Sequence, residues 1–281
     1  MKDVIAIVGP TASGKTKLAI EMAQELNTQI ISADSRLVYK GFDIGTAKPT
    51  KEEQSLVKHY MIDIVEPEVQ YSVADYAKEA KSIIDDMHLQ GKMPIVVGGT
   101  GLYFRILLEN YSLSDIDTNE ELRAELYAKD VEELYKQLVE LDRLSAETIH
   151  KNDKKRLVRA IEVSLITGKP YSQVKATKDS EYNVKWVFPE IPSREWLYDR
   201  INKRVYNMLD DGLIDETKLL LEKHGRTMNL VKTIGYQEII KYLDGEYSLD
   251  RAVELIQQNS RRYAKRQLTW FRRNENLSFD I

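Results

Sequence analysis

The sequence predicts an α/β fold: a parallel sheet core flanked by helices, with an all-helical insertion. Three observations carry this. Short apolar runs alternate with helical patterns from Val4 to Leu108, a glycine-rich loop joins the first run to the first helix, and the stretch from about Ser112 to Val174 is helical only.

The elements follow in order. Val4 to Val8 is continuously apolar and stops at Gly9, which suits a strand buried on both faces. After the glycine-rich turn, Leu18, Ile20, Met22, Ala23 and Leu26 recur at helical spacing over 17–26. Gln29 to Ala33 reads as a second strand, ending at Asp34. A helix over 73–90 places Ala74, Ala77, Ala80, Ile84 and Met87 on one side. Pro94 to Val97 is another buried strand; it runs into Gly98-Gly99-Thr100-Gly101, and a helix resumes over 102–108. Strand, helix, strand, helix, strand implies a parallel sheet wound by right-handed crossovers. The helical middle, rich in Glu, Leu and Lys, closes at Thr167-Gly168-Lys169-Pro170. A strand-like stretch returns at Val184 to Phe188, and helices then run on, punctuated at Gly212, Gly225, Gly235 and Gly245. The expected organisation is a core of 1–111 and 183–281 interrupted by a helical insertion, 112–182.

The chain has 281 residues, 42% apolar and 31% charged, so it has ample material for a globular core. No apolar run approaches the roughly 20 residues of a membrane span. Met1-Lys2-Asp3 and the five apolar residues after it do not read as a signal peptide. With no cysteine, disulfides and thiolate metal sites are excluded, and a reducing cytoplasm is the expected location.

The formal charge is −4, which at first argues against nucleic acid. The charges are not evenly spread. Between Ser112 and Glu147 eleven acidic residues face four basic ones, leaving the remainder of the chain positive. Between Ser260 and Arg273 lie Arg261, Arg262, Lys265, Arg266, Arg272 and Arg273 with no acidic residue. On a helix these fall within a stripe about 140° wide, with Tyr263, Trp270 and Phe271 on the other side. Such a stripe is either a solvated face over a packed aromatic face or a surface for a polyanion, and the absence of counter-charge favours the polyanion.

The strongest motif is Gly9-Pro10-Thr11-Ala12-Ser13-Gly14-Lys15-Thr16, the pattern G-x-x-x-x-G-K-[ST] between a strand and a helix. Its glycines let the backbone wrap a phosphate, the helix N-terminus and Lys15 add positive potential, and the Thr16 hydroxyl offers a ligand to Mg²⁺. The core is therefore expected to be phosphate-loop NTPase-like. Asp34 and Thr100 end or follow neighbouring strands and should converge with the loop on one sheet edge. Asp34 is open to three roles there: an Mg²⁺ group, a general base, or a turn residue. Thr100 either joins the site or caps the next helix. Spacing alone reaches an Mg²⁺-dependent enzyme acting on a phosphorylated substrate, and does not separate a nucleoside triphosphate from a diphosphate ester.

A resemblance goes further. The phosphate loop is followed by Asp34-Ser35, Asp43-Ile44-Gly45-Thr46-Ala47-Lys48-Pro49, Tyr71-Ser72-Val73-Ala74-Asp75 and Val97-Gly98-Gly99-Thr100-Gly101-Leu102-Tyr103. Beyond these come Arg156-Leu157-Val158-Arg159-Ala160-Ile161-Glu162, Leu197-Tyr198-Asp199-Arg200-Ile201-Asn202, Thr233-Ile234-Gly235-Tyr236-Gln237-Glu238 and Ala264-Lys265-Arg266-Gln267-Leu268-Thr269-Trp270-Phe271-Arg272. In this order they resemble the bacterial tRNA dimethylallyltransferases, also called tRNA isopentenyltransferases, nearly end to end.

The resemblance implies transfer of a dimethylallyl group from its diphosphate to N6 of the tRNA adenosine just 3′ of the anticodon. Asp34 would be the general base and Thr100 a hydrogen-bonding partner at the reacting centre. Gly9 to Thr16, with Arg200 and Mg²⁺ on Thr16, would hold the diphosphate. The implied tRNA contacts are Asp34, Ser35, Arg36, Leu37, Thr100, Arg123, Lys155, Arg156, Arg159, Gly235, Tyr236, Arg262, Lys265 and Arg266. For Arg123 a helix pair three or four residues away, for Lys155, Arg156 and Arg159 an exposed helix face, and for Gly235 a C-cap are the competing readings. The adenosine would be flipped out of the anticodon loop to reach the diphosphate. A monomer is expected.

This chain departs from the pattern at Arg36-Leu37, where the family usually has Met-Gln, and at Lys155-Arg156, where Gln-Arg is common. It has His59-Tyr60 for His-His, and no zinc finger of the eukaryotic relatives. Leu37 cannot make a glutamine's hydrogen bond to a base. The rivals are an adenylate isopentenyltransferase acting on free AMP, ADP or ATP, and more distantly a phosphate-loop kinase.

Overall fold

A computed structural model describes residues 1–109, 118–174, 180–277 and 279. The described residues form two compact units, Met1–Leu108 with Glu181–Ile281, and Glu109–Ser180. The expected boundary at 111/112 lies outside the described residues.

In the first unit, β1 (Lys2–Val8), β2 (Ile30–Ser32), β3 (His59–Tyr60), β4 (Ile95–Gly98) and β5 (Tyr182–Val187) form one parallel sheet in the order β3-β2-β4-β1-β5. The continuous apolar run of β1 has its reason in the layers. Val4, Ala6 and Val8 face one helical layer, α3 (Val73–Leu89) and α4 (Gly101–Leu108), through Tyr76, Ala80, Ile84 and Phe104. Ile5 and Ile7 face the other, α1 (Lys15–Glu25), through Ala19, Ile20 and Ala23. A strand covered on both sides has no polar face to alternate with. Two elements have no counterpart in the sequence reading: β3, too short for a period to register, and α2 (Lys51–Leu56), closed by a Thr50–Glu53 capping box. The last strand begins at Tyr182, two residues before the expected Val184.

In the second unit, α5 (Glu120–Ala128), α6 (Val131–Leu141), α7 (Arg143–Thr148), α8 (Lys154–Thr167) and α9 (Tyr171–Val174) enclose their own core of Leu126, Leu134, Leu138, Leu157 and Ile161. Two buried carboxylates organise it. Asp142 takes hydrogen bonds from the amide and hydroxyl of both Ser145 and Ser172. Burial opposes its ionisation, but those four donors outweigh burial and hold its carboxyl below the usual range. Glu162, fully buried, receives Arg123 Nε at 2.9 Å, Arg159 Nη1 at 2.8 Å and the Asn119 amide at 3.0 Å.

The remaining helices belong to the first unit: α10 (Arg194–Asp210), α11 (Leu213–His224), α12 (Met228–Val231), α13 (Tyr236–Leu243) and α14 (Leu249–Phe271). With Val38 and Phe42 they build another core around Val205, Leu213, Tyr236, Ile239 and Ile256. No described helix is long and apolar enough to cross a membrane.

Candidate active site

A cleft of about 920 Å³ opens at the C-terminal ends of the strands, between the phosphate loop, the turn after β2, the 43–49 loop, α10 and α14. The position follows from parallel topology, which gathers those strand ends on one edge.

The phosphate loop is built on left-handed backbone. Gly14 caps α1 at φ +91°, and Ala12, which carries a Cβ, sits at φ +63°. Alternation of this kind turns successive N–H groups inward to make an anion cradle. The Ser13 hydroxyl is buried in that loop and finds no hydrogen-bond partner among the described residues. Lys15 folds back so that its Nζ donates to the Pro10 carbonyl at 2.6 Å. Burial lowers its pKa to about 7, with Asp34 opposing and the positive charge of Arg204 adding to the effect. A buried hydroxyl with no partner and an ammonium with only a loop carbonyl are both answered by a phosphate. Thr16 and Asp34 line the same cleft, offering a hydroxyl and a carboxylate, the hard oxygen donors that Mg²⁺ takes.

Asp34 Oδ1 accepts from the Arg36 amide at 2.8 Å, so the turn role of Asp34 is real and occupies one oxygen. Thr100 Oγ1 accepts from the Ser35 amide at 3.1 Å, and the Thr100 carbonyl accepts from the Tyr103 amide at the start of α4. The Thr100 hydroxyl is thus engaged in holding the turn that carries Asp34. Arg36 and Leu37 line the cleft.

Arg200 reaches the loop as expected: its Nε donates to the Ala12 carbonyl at 2.9 Å, and its guanidinium lies 4.7 Å from the centre of the Trp196 ring. Sequence reasoning missed Arg204, four residues on and so on the same helix face. Arg204 donates to Thr11 Oγ1 at 3.0 Å and to the Thr46 carbonyl at 3.1 Å. Burial lowers its pKa to about 10, with Asp34 opposing and Arg200 adding. The four-residue spacing was the available signal. Gln267 was also missed as a site residue; its Oε1 accepts from the Thr11 amide at 2.9 Å. That amide is thereby engaged, leaving the later amides of the loop for a ligand.

Several expectations need correction. The basic stripe is not one helix face: α14 ends at Phe271, so Arg272 is its C-cap and Arg273 lies in the following turn. Arg261 is half-buried and donates to Asn202 Oδ1. Arg262, Lys265 and Arg266 remain exposed on α14, and Arg266 also borders the cleft. Tyr263 is not part of a packed aromatic layer. With Ile256, Ser260 and Gln267 it forms the line of α14 that faces the cleft.

Gly235 is an N-cap rather than a C-cap: at φ +99° it precedes α13 and its amide donates to Glu238 Oε2 at 2.8 Å. Tyr236 is fully buried, packed edge-on against Phe42 with its hydroxyl donating to Glu216 Oε1 at 2.6 Å. Its side chain has no surface to offer RNA, and the expected contact gives way to a packing role. Arg123, Lys155, Arg156 and Arg159 lie in the helical unit. Arg123 and Arg159 converge on buried Glu162, and for Arg123 that partner is distant in sequence, not three or four residues away. Lys155 is exposed, and Arg156 pairs with Asp153 at 3.3 Å while keeping most of its side chain exposed.

The chain is similar along its length to known proteins. A tRNA dimethylallyltransferase of Acetivibrio thermocellus is 48% identical over 99% of this chain and 91% of its own length. The crystal structure of the full-length tRNA isopentenylpyrophosphate transferase of Bacillus halodurans is 42% identical, with a TM-score of 0.73 over 100% of this chain and 90% of that one. A eukaryotic dimethylallyltransferase, seen in crystallographic snapshots acting on tRNA, is 30% identical with a TM-score of 0.83 over 96% of this chain and 70% of that one. The parallel sheet and loop are those of a phosphate-loop NTPase-like α/β fold. Matching the IPP transferase family over residues 37–274, and such relatives over nearly its whole length, the chain belongs to the IPP transferase family.

Proposed function

We propose that this transferase moves the dimethylallyl group from dimethylallyl diphosphate to N6 of the adenosine 3′ of the anticodon in tRNA, releasing diphosphate. The observation that carries the reading is one cleft lined by a phosphate cradle whose Ser13 hydroxyl has no partner among the described residues, by Lys15, Arg200 and Arg204, and by Asp34. The curated relatives act in the same sense by name, as tRNA dimethylallyltransferases.

The chemistry sets the roles. An aryl amine is a poor nucleophile because its lone pair is delocalised into the ring. As the N6–C bond forms and the allylic C–O bond breaks, Asp34 takes the N6 proton on the carboxylate oxygen that the Arg36 amide does not hold. The electron pair of the broken bond leaves on diphosphate. Loop amides beyond Thr11, together with Lys15, Arg200 and Arg204, stabilise that charge. Thr16 would hold Mg²⁺, which supplies further charge neutralisation to the leaving group. Thr100 keeps the Asp34–Ser35 turn in place. On the RNA side, Arg36 and Leu37 meet the flipped nucleotide, Arg266 stands at the cleft mouth, and Arg262 and Lys265 take backbone phosphates. The helical unit is the insertion, with Lys155 and Arg156 as its exposed cations toward RNA. The chain acts as a cytoplasmic monomer.

The test is incubation with labelled dimethylallyl diphosphate and either an unmodified tRNA anticodon stem-loop, AMP or no acceptor. Label in RNA alone is expected. Label in AMP would instead establish an adenylate prenyltransferase, and ATP turnover without transfer a kinase.

A further inference from the structure

The phosphate loop is held in part by an uncharged side chain. Gln267, on α14, is buried; its Oε1 accepts from the Thr11 amide at 2.9 Å and its Nε2 donates to the Gly99 carbonyl at 3.0 Å. Gly99 directly precedes Thr100, and a Cβ there would collide with the Gln267 amide nitrogen. One side chain thus joins the loop after β1 to the loop after β4. Next to Thr11 stands Ala12 at φ +63°, a left-handed conformation that a residue with a Cβ keeps only where its surroundings over-determine it. Three side chains do so: Gln267 on the Thr11 amide, Arg204 on the Thr11 hydroxyl and Arg200 on the Ala12 carbonyl. The two arginines also bring charge to the cleft. Gln267 contributes geometry alone.

We propose that Gln267 is a positioning residue for prenyl transfer. It fixes the Thr11–Ala12 turn so that the following amides are aimed at the diphosphate before it arrives. The inference rests on the reading that this loop holds the prenyl diphosphate.

Two substitutions separate positioning from mere filling of space. Gln267→Leu leaves the Thr11 N–H and the Gly99 carbonyl without partners, so the turn relaxes. The expected result is a rise of about tenfold in KM for dimethylallyl diphosphate and in Kd for inorganic pyrophosphate, with RNA affinity within about twofold of native. Gln267→Glu keeps the shape, and when protonated it keeps the pattern too, its carbonyl accepting from Thr11 and its O–H donating to Gly99. Once ionised it cannot donate, and it places a negative charge beside the diphosphate. Relative to native, its pyrophosphate affinity should therefore be weakest at about pH 8 and recover as the pH falls toward the ordinary glutamate pKa of about 4.3. If the leucine variant fails to fold, the glutamate variant carries the test.

The experiment is calorimetric titration of the full chain and both variants with pyrophosphate across that range, with steady-state kinetics varying each substrate. Variants that bind pyrophosphate like the native chain, or that lose RNA affinity in equal measure, overturn the inference alone. A native chain that does not bind pyrophosphate overturns the reading of the loop, and the inference with it.

Discussion

Asp34 and Lys15 show how much of this site lies in single atoms. Asp34 keeps one oxygen on the Arg36 amide, and proton transfer falls to the other. Asp34→Asn preserves the turn while removing the base. Its rate of prenyl transfer should drop by about 10²–10⁴-fold, with stem-loop affinity within about threefold by filter binding. Lys15 titrates at about 7 in the free cleft because burial disfavours its charge. Bound diphosphate favours the ammonium and raises that value. Binding then takes up a proton wherever the pH lies between the free and bound values, so affinity falls as pH rises above about 7; below that Lys15 is charged in both states. Calorimetry with dimethylallyl diphosphate in two buffers of different ionisation enthalpy should show the uptake at pH values above about 7.5, and Lys15→Met should abolish it.

At the scale of elements, buried polar groups join helices alongside their apolar faces. Glu162 on α8 is fully buried, and its partners Arg123 and Arg159 keep only 30% and 27% of their side chains exposed. Without Arg123, Glu162 keeps Arg159 but loses one charge-assisted hydrogen bond, at a cost of about 1.5–3 kcal/mol. Arg123→Ala should therefore lower the melting temperature of the helical unit, read by circular dichroism, before any effect on RNA affinity is counted. An unchanged melting temperature would show that Arg123 is free for another role. On α14 the same helix separates two tasks by angle. Tyr263 and Gln267 line up toward the cleft, while Arg262 and Lys265 point away from that line.

Over the whole molecule, a net charge of −4 coexists with an RNA-binding reading because the acidic residues cluster in one stretch. Affinity depends on the local field and not on the sum. Stem-loop affinity should fall by at least about tenfold between 50 and 200 mM salt, despite the negative total. The triple substitution of Arg262, Lys265 and Arg266 by Ala should flatten that dependence by about 0.7 log units per lost phosphate contact. An unmoved slope would mean that these three cations are not phosphate contacts.

The α/β class, the phosphate loop and Asp34 were legible in the sequence because each rests on local pattern: an apolar run, a glycine spacing, a strand end. The same holds for Arg200, which a motif marks. Arg204 and Gln267 were not legible as loop clamps, since their partners Thr11 and Gly99 are far away in the chain and meet them only when α10 and α14 dock on the sheet edge. Tyr236 misled for the same reason: an aromatic in a glycine turn reads as available, yet packing on Phe42 encloses it. Phosphate chemistry is readable along the chain, because a phosphate cradle needs only a short contiguous loop. Which cations and amides remain free for that chemistry is settled by packing, because hydrogen bonds between distant segments commit some of them first.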